Sequence, residues 1–207
     1  MREYLLNAFA TLFVTIEPIG LAPIFIALTS GMPESSRRRI AISASIIAAA
    51  VLVGFALFGG PVIEFLGISL PAFRIAGGLL LFWIAFEMIF DLRAERKAAA
   101  AQAGQQPGDA ASMAAFPLAV PMMAGPAAIA ATIITAEAAP STAAFVLFIA
   151  ILLGIIAMCL VVFLLATRFD MLLRRTGRIV LSRLFGVVLA ALAVQFVADG
   201  VKAIVAA

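Results

Sequence analysis

Two short segments rich in proline and glycine interrupt long apolar runs of the sequence. The first runs from Glu17 to Pro23 (EPIGLAP), and the second runs from Pro117 to Pro126 (PLAVPMMAGP). Proline removes a backbone donor and blocks the carbonyl four residues earlier, and glycine permits the dihedral angles that unwinding needs. Backbone groups freed inside a membrane must be satisfied by protein, water or a bound solute. Paired interruptions of this kind predict a transporter binding site, although simple kinks would give the same pattern.

Two polar side chains add chemistry to these interruptions. Glu17 lies about 20 Å along its apolar run, at the rise of an α-helix, and a carboxylate at that depth is costly unless it finds a cavity or a partner. It could carry a proton, bind an ammonium group, or form a structural bond to a neighbouring helix. Gln195 lies at a similar depth in the last run. The predicted substrate-binding residues are Glu17, Pro18, Gly20, Pro23, Pro121, Gly125, Pro126 and Gln195.

A series of small polar residues leads to each interruption from one side. Asn7, Thr11 and Thr15 are spaced four residues apart, which places them on one face of a helix, and Thr132 and Thr135 follow the second interruption. We expect these five residues to line an outer vestibule. The alternative is that the hydroxyls bond to the carbonyl four residues earlier and serve only the helix.

Composition requires that these segments lie in a membrane. The chain has 207 residues, of which 65% are hydrophobic and 12% charged, and its mean hydropathy is +1.21. No soluble domain covers so much apolar surface with so few charges. The fold class predicted is an all-α membrane protein with six transmembrane helices. The apolar runs lie at 4–29, 40–60, 71–91, 113–137, 142–167 and 181–203.

The distribution of basic residues predicts the orientation of these helices. Ten of the fourteen basic residues fall on the side of loops 1–2, 3–4 and 5–6, and Arg2 and Lys202 fall on the other side. Cytoplasmic loops carry the excess of lysine and arginine. We therefore expect a bacterial cytoplasmic membrane protein with both termini in the periplasm. The ten are Arg37, Arg38, Arg39, Arg93, Arg96, Lys97, Arg168, Arg174, Arg175 and Arg178.

The two halves of the chain share a weak internal pattern. Arg74 to Gly77 (RIAG) matches Arg183 to Gly186 (RLFG), and Pro18 matches Pro126 at nearly the same offset. Three helices per half would make the repeats inverted, an arrangement common in secondary transporters. The predicted organisation is a first repeat at 1–92, a flexible cytoplasmic linker at 93–112 and a second repeat at 113–207. Residues 168–180, rich in arginine, are expected to form an interfacial loop.

Several other functions are disfavoured by what the sequence lacks. The chain contains no histidine and one cysteine, Cys159, so a Ser-His or Cys-His hydrolase is disfavoured and a disulfide framework is excluded. We expect no enzymatic activity, no cofactor, no metal and no nucleic-acid partner. The expected partners are a small-molecule substrate, the bilayer, a coupling proton or sodium ion, and further copies of the chain in a homo-oligomer.

The same segments resemble the MarC family of bacterial membrane proteins, which is related to the neutral amino acid transporters known as SnatA. The family pattern D-P-x-G-N-x-P-x-F stands here from Glu17 to Phe25, and P-L-A-x-P-x-x-A-G-P-G-A-I stands from Pro117 to Ile129. Phe73 to Leu81 and Ala193 to Gly200 match the third and sixth spans. Glu17, Leu21 and Ala127 depart from the usual Asp, Asn and Gly, and the loss of the asparagine amide bears on substrate preference.

The resemblance implies a LysE-like exporter fold that moves small amino acids such as alanine or glycine. The sequence therefore predicts a secondary transporter with its substrate at mid-membrane between helices 1 and 4. Export of another small metabolite or a drug, and a passive channel, are the alternatives. The apolar inner halves of both interrupted helices disfavour a channel, because a pore needs a continuous polar lining.

Overall fold

Helices form nearly all of the described structure, a computed structural model that covers residues 1–92, 96, 114–166 and 175–206. The predicted linker at 93–112 lies outside these residues, apart from Arg96. The helical segments are α1 Arg2–Ile16, α2 Ala22–Leu28, α3 Glu34–Phe65, α4 Leu70–Ile89, α5 Ala114–Met123, α6 Pro126–Glu137, α7 Thr142–Leu164 and α8 Arg175–Val205. Segment α5 is irregular, because its backbone is extended at Phe116 and Val120, and the N–H of Ala124 donates to the carbonyl of Ala119 at its end.

Large apolar side chains cover the outside of the bundle. Phe58 is 65% exposed, Trp83 is 58% exposed and Val187 is 59% exposed, in three different helices. Soluble monomers rarely expose apolar surface on this scale. Lipid is therefore the solvent of these faces, and the protein is an integral membrane protein with several spans.

The centre of the bundle is formed by α3 against α7. Most of the buried side chains of α3 are small, including Ala41, Ala44 and Ala48. Larger side chains of α7, such as Phe148 and Leu152, are buried in the same core. Small residues let membrane helices approach closely. Ser141 caps the start of α7, because its side chain accepts a hydrogen bond from the backbone N–H of Ala144 at 3.2 Å.

Helices α4 and α8 form the most intimate antiparallel pair. A Cβ atom at Gly78 would lie 2.9 Å from the carbonyl oxygen of Ala193, and one at Gly186 would lie 3.0 Å from that of Ala85. Gly200 likewise faces the start of α4, because a Cβ atom at this position would lie 2.8 Å from the carbonyl oxygen of Pro71. Small residues at positions 186, 193 and 200 thus recur every two turns, and the two backbones touch along their length.

The first predicted span is divided into α1 and α2, and both parts pack against α7. Near the start of α1, the hydroxyl of Tyr4 donates to the carbonyl of Thr135, near the end of α6. In α2, the ring of Phe25 stacks on Phe163 near the end of α7, with the ring centroids 4.7 Å apart. Both halves of the first predicted span therefore contact the second half of the chain.

The spans agree with the sequence prediction in position but not fully in number. Within the described ranges, four helices are long and apolar enough to cross a membrane, namely α3, α4, α7 and the 179–205 part of α8. A fifth span is formed if α5 and α6, which are bent by 56° at their junction, count as one. The six-helix inverted repeat stays a prediction.

One boundary was predicted wrongly. Residues 175–180 belong to α8, although the sequence analysis assigns 168–180 to an interfacial loop, and the rest of that loop, 168–174, lies outside the described residues. The cause is that arginine is a good helix former, so an arginine-rich segment can extend an apolar helix beyond the membrane.

Candidate functional site

The first interruption is a tight turn centred on Glu17. Helix α1 ends where Glu17 adopts the left-handed conformation, with φ 56° and ψ 61°, and its N–H donates to the carbonyl of Phe13 at 2.9 Å. Non-glycine residues rarely adopt this conformation, and it is found at helix ends and functional sites. Helix α2 then begins at Ala22 with Pro23 in its first turn, a position where proline needs no hydrogen bond. The sequence motif thus ends one helix and starts the next.

The carboxylate of Glu17 points toward α8. The hydroxyl of Ser182 donates to Oε1 of Glu17 at 3.2 Å. A Cβ atom at Gly20 would lie only 2.6 Å from Cδ of Glu17, so glycine at this position leaves the space in which the acidic side chain lies. Pro18 is buried in the same turn. The first interruption is therefore a closed polar contact between two helices.

At the second interruption, only Ala124 and Gly125 separate α5 from α6. A Cβ atom at Gly125 would lie 2.4 Å from the carbonyl oxygen of Pro121, closer than any real side chain could approach. Pro126 is the first residue of α6. Glycine is required at position 125 because the chain folds back on itself there, and proline fixes the start of the new helix.

This second interruption opens onto a cavity of about 200 Å³. Drug-sized ligands need larger pockets, so the volume suits a small solute. The cavity is built from α1, α4, α5 and α6. It is lined by Thr15, Ile84, Glu87, Arg96, Pro121, Met122, Gly125, Pro126, Ala127 and Ala128.

A buried carboxylate supplies negative charge to the cavity. The side chain of Glu87 is 6% exposed, and it accepts hydrogen bonds from Nε1 of Trp83 at 2.9 Å and from the guanidinium of Arg96. Arg96 itself is 67% exposed. A buried carboxylate needs such partners, since an uncompensated charge at this position would be strongly destabilising. The cavity therefore has an acidic wall whose cationic partner reaches it from the exterior.

The start of α6 supplies partial positive charge, opposite in sign to the Glu87 carboxylate. The first N–H groups of a helix have no partner within the helix, and Pro126 has no N–H. The next two residues, Ala127 and Ala128, line the cavity. The partial positive charge of a helix N-terminus favours anions. One small cavity thus offers donors for a carboxylate and a carboxylate for a cation.

The structure brings together some of the predicted binding residues and separates others. Pro121, Gly125 and Pro126 line the cavity with Thr15. Glu17, Pro18, Gly20 and Pro23 belong to the other interruption and do not line it. Gln195 is exposed on α8, and its Nε2 donates to Oδ1 of Asp199 at 2.8 Å.

The predicted vestibule residues also divide into two groups. Asn7 is exposed, whereas Thr11, Thr15, Thr132 and Thr135 are buried. Two of the hydroxyls bond to the carbonyl four residues earlier, as Thr15 does to Thr11 at 2.7 Å and Thr132 does to Ala128 at 2.7 Å. The threonines therefore lie in packed contacts in this conformation, and the vestibule remains a prediction.

Sequence reasoning missed Glu87 and Arg96 as parts of the site. Glu87 lies near the end of an apolar run, where a carboxylate could simply reach the interface, and Arg96 belongs to the segment predicted as a linker. The available signal was Trp83, four residues before Glu87 and on the same helix face, because an indole N–H beside a carboxylate on an apolar face marks a satisfied buried group. Among the described residues, no group of three or more acidic or cysteine side chains could hold a metal ion.

The lipid-facing surface, the several long apolar helices and the cavity between interrupted helices define a multi-pass integral membrane protein. The chain belongs to the MarC family, since the family described as "MarC family integral membrane protein" matches residues 2–205. The resemblance inferred from the proline motifs is thereby confirmed.

Relatives from bacteria and archaea match the chain over almost its whole length. A UPF0056 membrane protein of Methanocaldococcus jannaschii is 36% identical, with 97% of each chain covered. The UPF0056 membrane protein YhcE of Escherichia coli is 35% identical, over 95% of this chain and 91% of its own. YvbG of Bacillus subtilis is 30% identical, over 98% and 96%. No solved structure matches the chain.

Proposed function

We propose that the protein is a secondary transporter of small neutral amino acids, which bind in the cavity between α1, α4 and the α5–α6 interruption. The observation that carries the proposal is the pairing, in one cavity of about 200 Å³, of the α6 N-terminus with the Glu87 carboxylate. An amino acid zwitterion presents a carboxylate and an ammonium group. The N–H groups of Ala127 and Ala128 suit the carboxylate, and Glu87 suits the ammonium.

The contacts between helices support a proposed topology of six crossings. Helices α4 and α8 are antiparallel, which requires an even number of crossings between them, so α5–α6 and α7 would each cross once. The contacts of Tyr4 with Thr135 and of Phe25 with Phe163 support a crossing by α1 and α2 together. Three crossings in each half would make the halves inverted repeats, as in many transporters.

The same contacts support an inward-facing state. By the basic-residue count, both termini and the α6–α7 junction face the periplasm of a bacterial cell, and Arg96 marks the cytoplasmic side. The Tyr4 hydroxyl bonds to the Thr135 carbonyl at 2.9 Å on the periplasmic side, where it closes α1 against α6. The exposed Arg96 side chain reaches the cavity from the opposite end. Alternating access would open the Tyr4–Thr135 contact and close the end of the cavity at which Arg96 lies.

The proposed role of Glu17 is coupling to a proton. Its carboxylate joins the interrupted helix to α8 through Ser182, so a change of its charge would alter a contact between two helices. Coupling through a helix contact needs no direct bond between Glu17 and the substrate.

Uptake and efflux of labelled amino acids in proteoliposomes test the proposed function. We expect saturable transport of alanine and glycine, competition by small neutral amino acids, and little competition by amines or carboxylic acids that lack the second group. Leucine substituted at Gly154, which is exposed with open space around it, serves as the control for membrane insertion. Equal transport of alanine, its amine analogue and its acid analogue would contradict zwitterion recognition.

A further inference from the structure

A second cavity, of about 640 Å³, lies where α3 begins and α7 ends. Phe25 of α2 forms one wall, and Arg37 and Arg38 of α3 form another, together with Glu34. Leu164 and Leu165 at the end of α7 form the rim. This cavity is lined by none of the residues that line the proposed transport site.

Arg37 is fixed in this cavity with an unused hydrogen-bond donor. Its guanidinium carbon lies 6.0 Å from the centroid of the Phe25 ring, a cation–π distance, and Phe25 is in turn stacked on Phe163. The Nε atom of Arg37 is buried and has no hydrogen-bond partner within the part of the chain that the structure describes. A buried donor without a partner is costly, so the arrangement indicates a ligand that accepts hydrogen bonds.

The charge of the cavity favours an anion. Arg37 and Arg38 contribute two positive charges, and Glu34 contributes one negative charge on the same face of α3. Among the described side chains no carboxylate, including that of Glu34, lies within salt-bridge distance of either arginine. The cavity also borders the first turn of α3, whose dipole adds partial positive charge. Two guanidinium groups without a carboxylate partner among the described side chains suit the oxygens of a phosphate.

The rim of the cavity distinguishes a lipid from a soluble anion. Leu164 is 47% exposed and Leu165 is 38% exposed, so the opening continues onto the apolar surface that faces lipid. We propose that this cavity binds an anionic phospholipid, with the phosphate on Arg37 and Arg38 and the acyl chains along Leu164 and Leu165. A basic pocket between helices beside an apolar surface is suited to such a headgroup. The site does not depend on the proposed transport function.

Thermal unfolding of the full-length chain in nonionic detergent tests the proposal. We expect phosphatidylglycerol to raise the Tm by about 5 °C at a hundredfold excess over its Kd, and phosphatidylcholine to raise it little. The double variant Arg37→Gln with Arg38→Gln should lose this difference between the lipids. Arg39→Gln is the matched control, because Arg39 is exposed on the next position of the same helix and does not line the cavity.

Three results would overturn the proposal. They are equal stabilisation by the two lipids, an equal loss in the Arg39→Gln control, and an equal shift produced by inorganic phosphate or glycerol 3-phosphate at the same concentration. If the double variant does not fold, phospholipid that copurifies with each single variant decides the question. We expect less phosphatidylglycerol with Arg37→Gln and with Arg38→Gln than with the wild type, and an unchanged content would refute the site.

Discussion

The two interrupted helices are made of the same residue types but lie in different surroundings. At the first interruption, the carboxylate of Glu17 fills the space that Gly20 leaves and accepts a hydrogen bond from Ser182. At the second interruption, Gly125 lets the backbone turn against Pro121, and the new helix starts at a cavity. Matching motifs therefore give one closed helix contact and one helix start that borders a cavity, and the cavity is lined mainly by residues of the second interruption.

Gly125→Leu should have the largest effect if the second interruption forms the binding surface. Its side chain would need the space of the Pro121 carbonyl, at 2.4 Å from the ideal Cβ position. The displaced α6 start should lower alanine transport by about 100-fold or more and destabilise the fold by about 1–3 kcal/mol. Initial transport rates and Tm of the purified protein measure both effects. If Gly125→Leu and the control Gly154→Leu both transport alanine at the wild-type rate, the second interruption is a simple kink and not a binding site.

Glu87→Gln should have the next largest effect, because it removes the negative charge of the cavity and keeps its shape. A hydrogen bond to a charged group is worth about 1.5–3 kcal/mol, so we expect the KM for alanine to rise by about 10- to 100-fold. Glu64→Gln is the control, since Glu64 is exposed near the end of α3 and outside the cavity. An unchanged KM in Glu87→Gln would remove this carboxylate from substrate recognition.

Glu17→Gln should separate coupling from binding at the first interruption. The amide keeps the size of the side chain but cannot titrate, so exchange of alanine should stay within about threefold of wild type while accumulation driven by a pH gradient is lost. Ser182→Ala removes only the hydroxyl that donates to Glu17, and it should keep gradient-driven accumulation. Accumulation at the wild-type rate in Glu17→Gln would leave this carboxylate with a structural role alone.

Gln195→Leu should have the smallest effect. Its side chain is exposed on α8 and bonds to Asp199 of the same helix, so its removal should change alanine transport by less than about twofold. A tenfold loss, measured in the same proteoliposomes, would show that α8 turns this face toward the substrate in another conformation and would restore the residue to the binding site.

Positions along the chain were easier to predict than neighbours across the bundle. Apolar length and Pro/Gly chemistry are local properties, which is why the spans and both interruptions fall close to their predicted positions. The direction of the Glu17 side chain depends on Ser182, 165 residues later, and on the space beside Gly20. No local pattern contains that information.

The acidic wall of the cavity was hidden for a similar reason. Glu87 is buried only because Trp83 and Arg96 satisfy it, and Arg96 comes from a segment whose composition indicates a linker. In the sequence, Arg96 counts only among the basic residues that predict the orientation of the helices, and nothing in that count indicates a contact with Glu87. The threonines of the predicted vestibule are buried, and Thr15 and Thr132 donate their hydroxyl hydrogens to carbonyl groups of their own helices.

The backbone contact between α4 and α8 restricts which parts of the protein can move. With Gly78, Gly186 and Gly200 seated directly on carbonyl groups of the opposite helix, a slide or rotation of one helix alone would cause immediate overlap, so the pair must behave as a single rigid body. Glu87 belongs to this rigid body through α4, and Ser182 belongs to it through α8. Their partners, Arg96 and Glu17, belong to other parts of the chain. Both polar contacts therefore join this rigid pair to the rest of the chain, where the proposed transport cycle would make and break bonds.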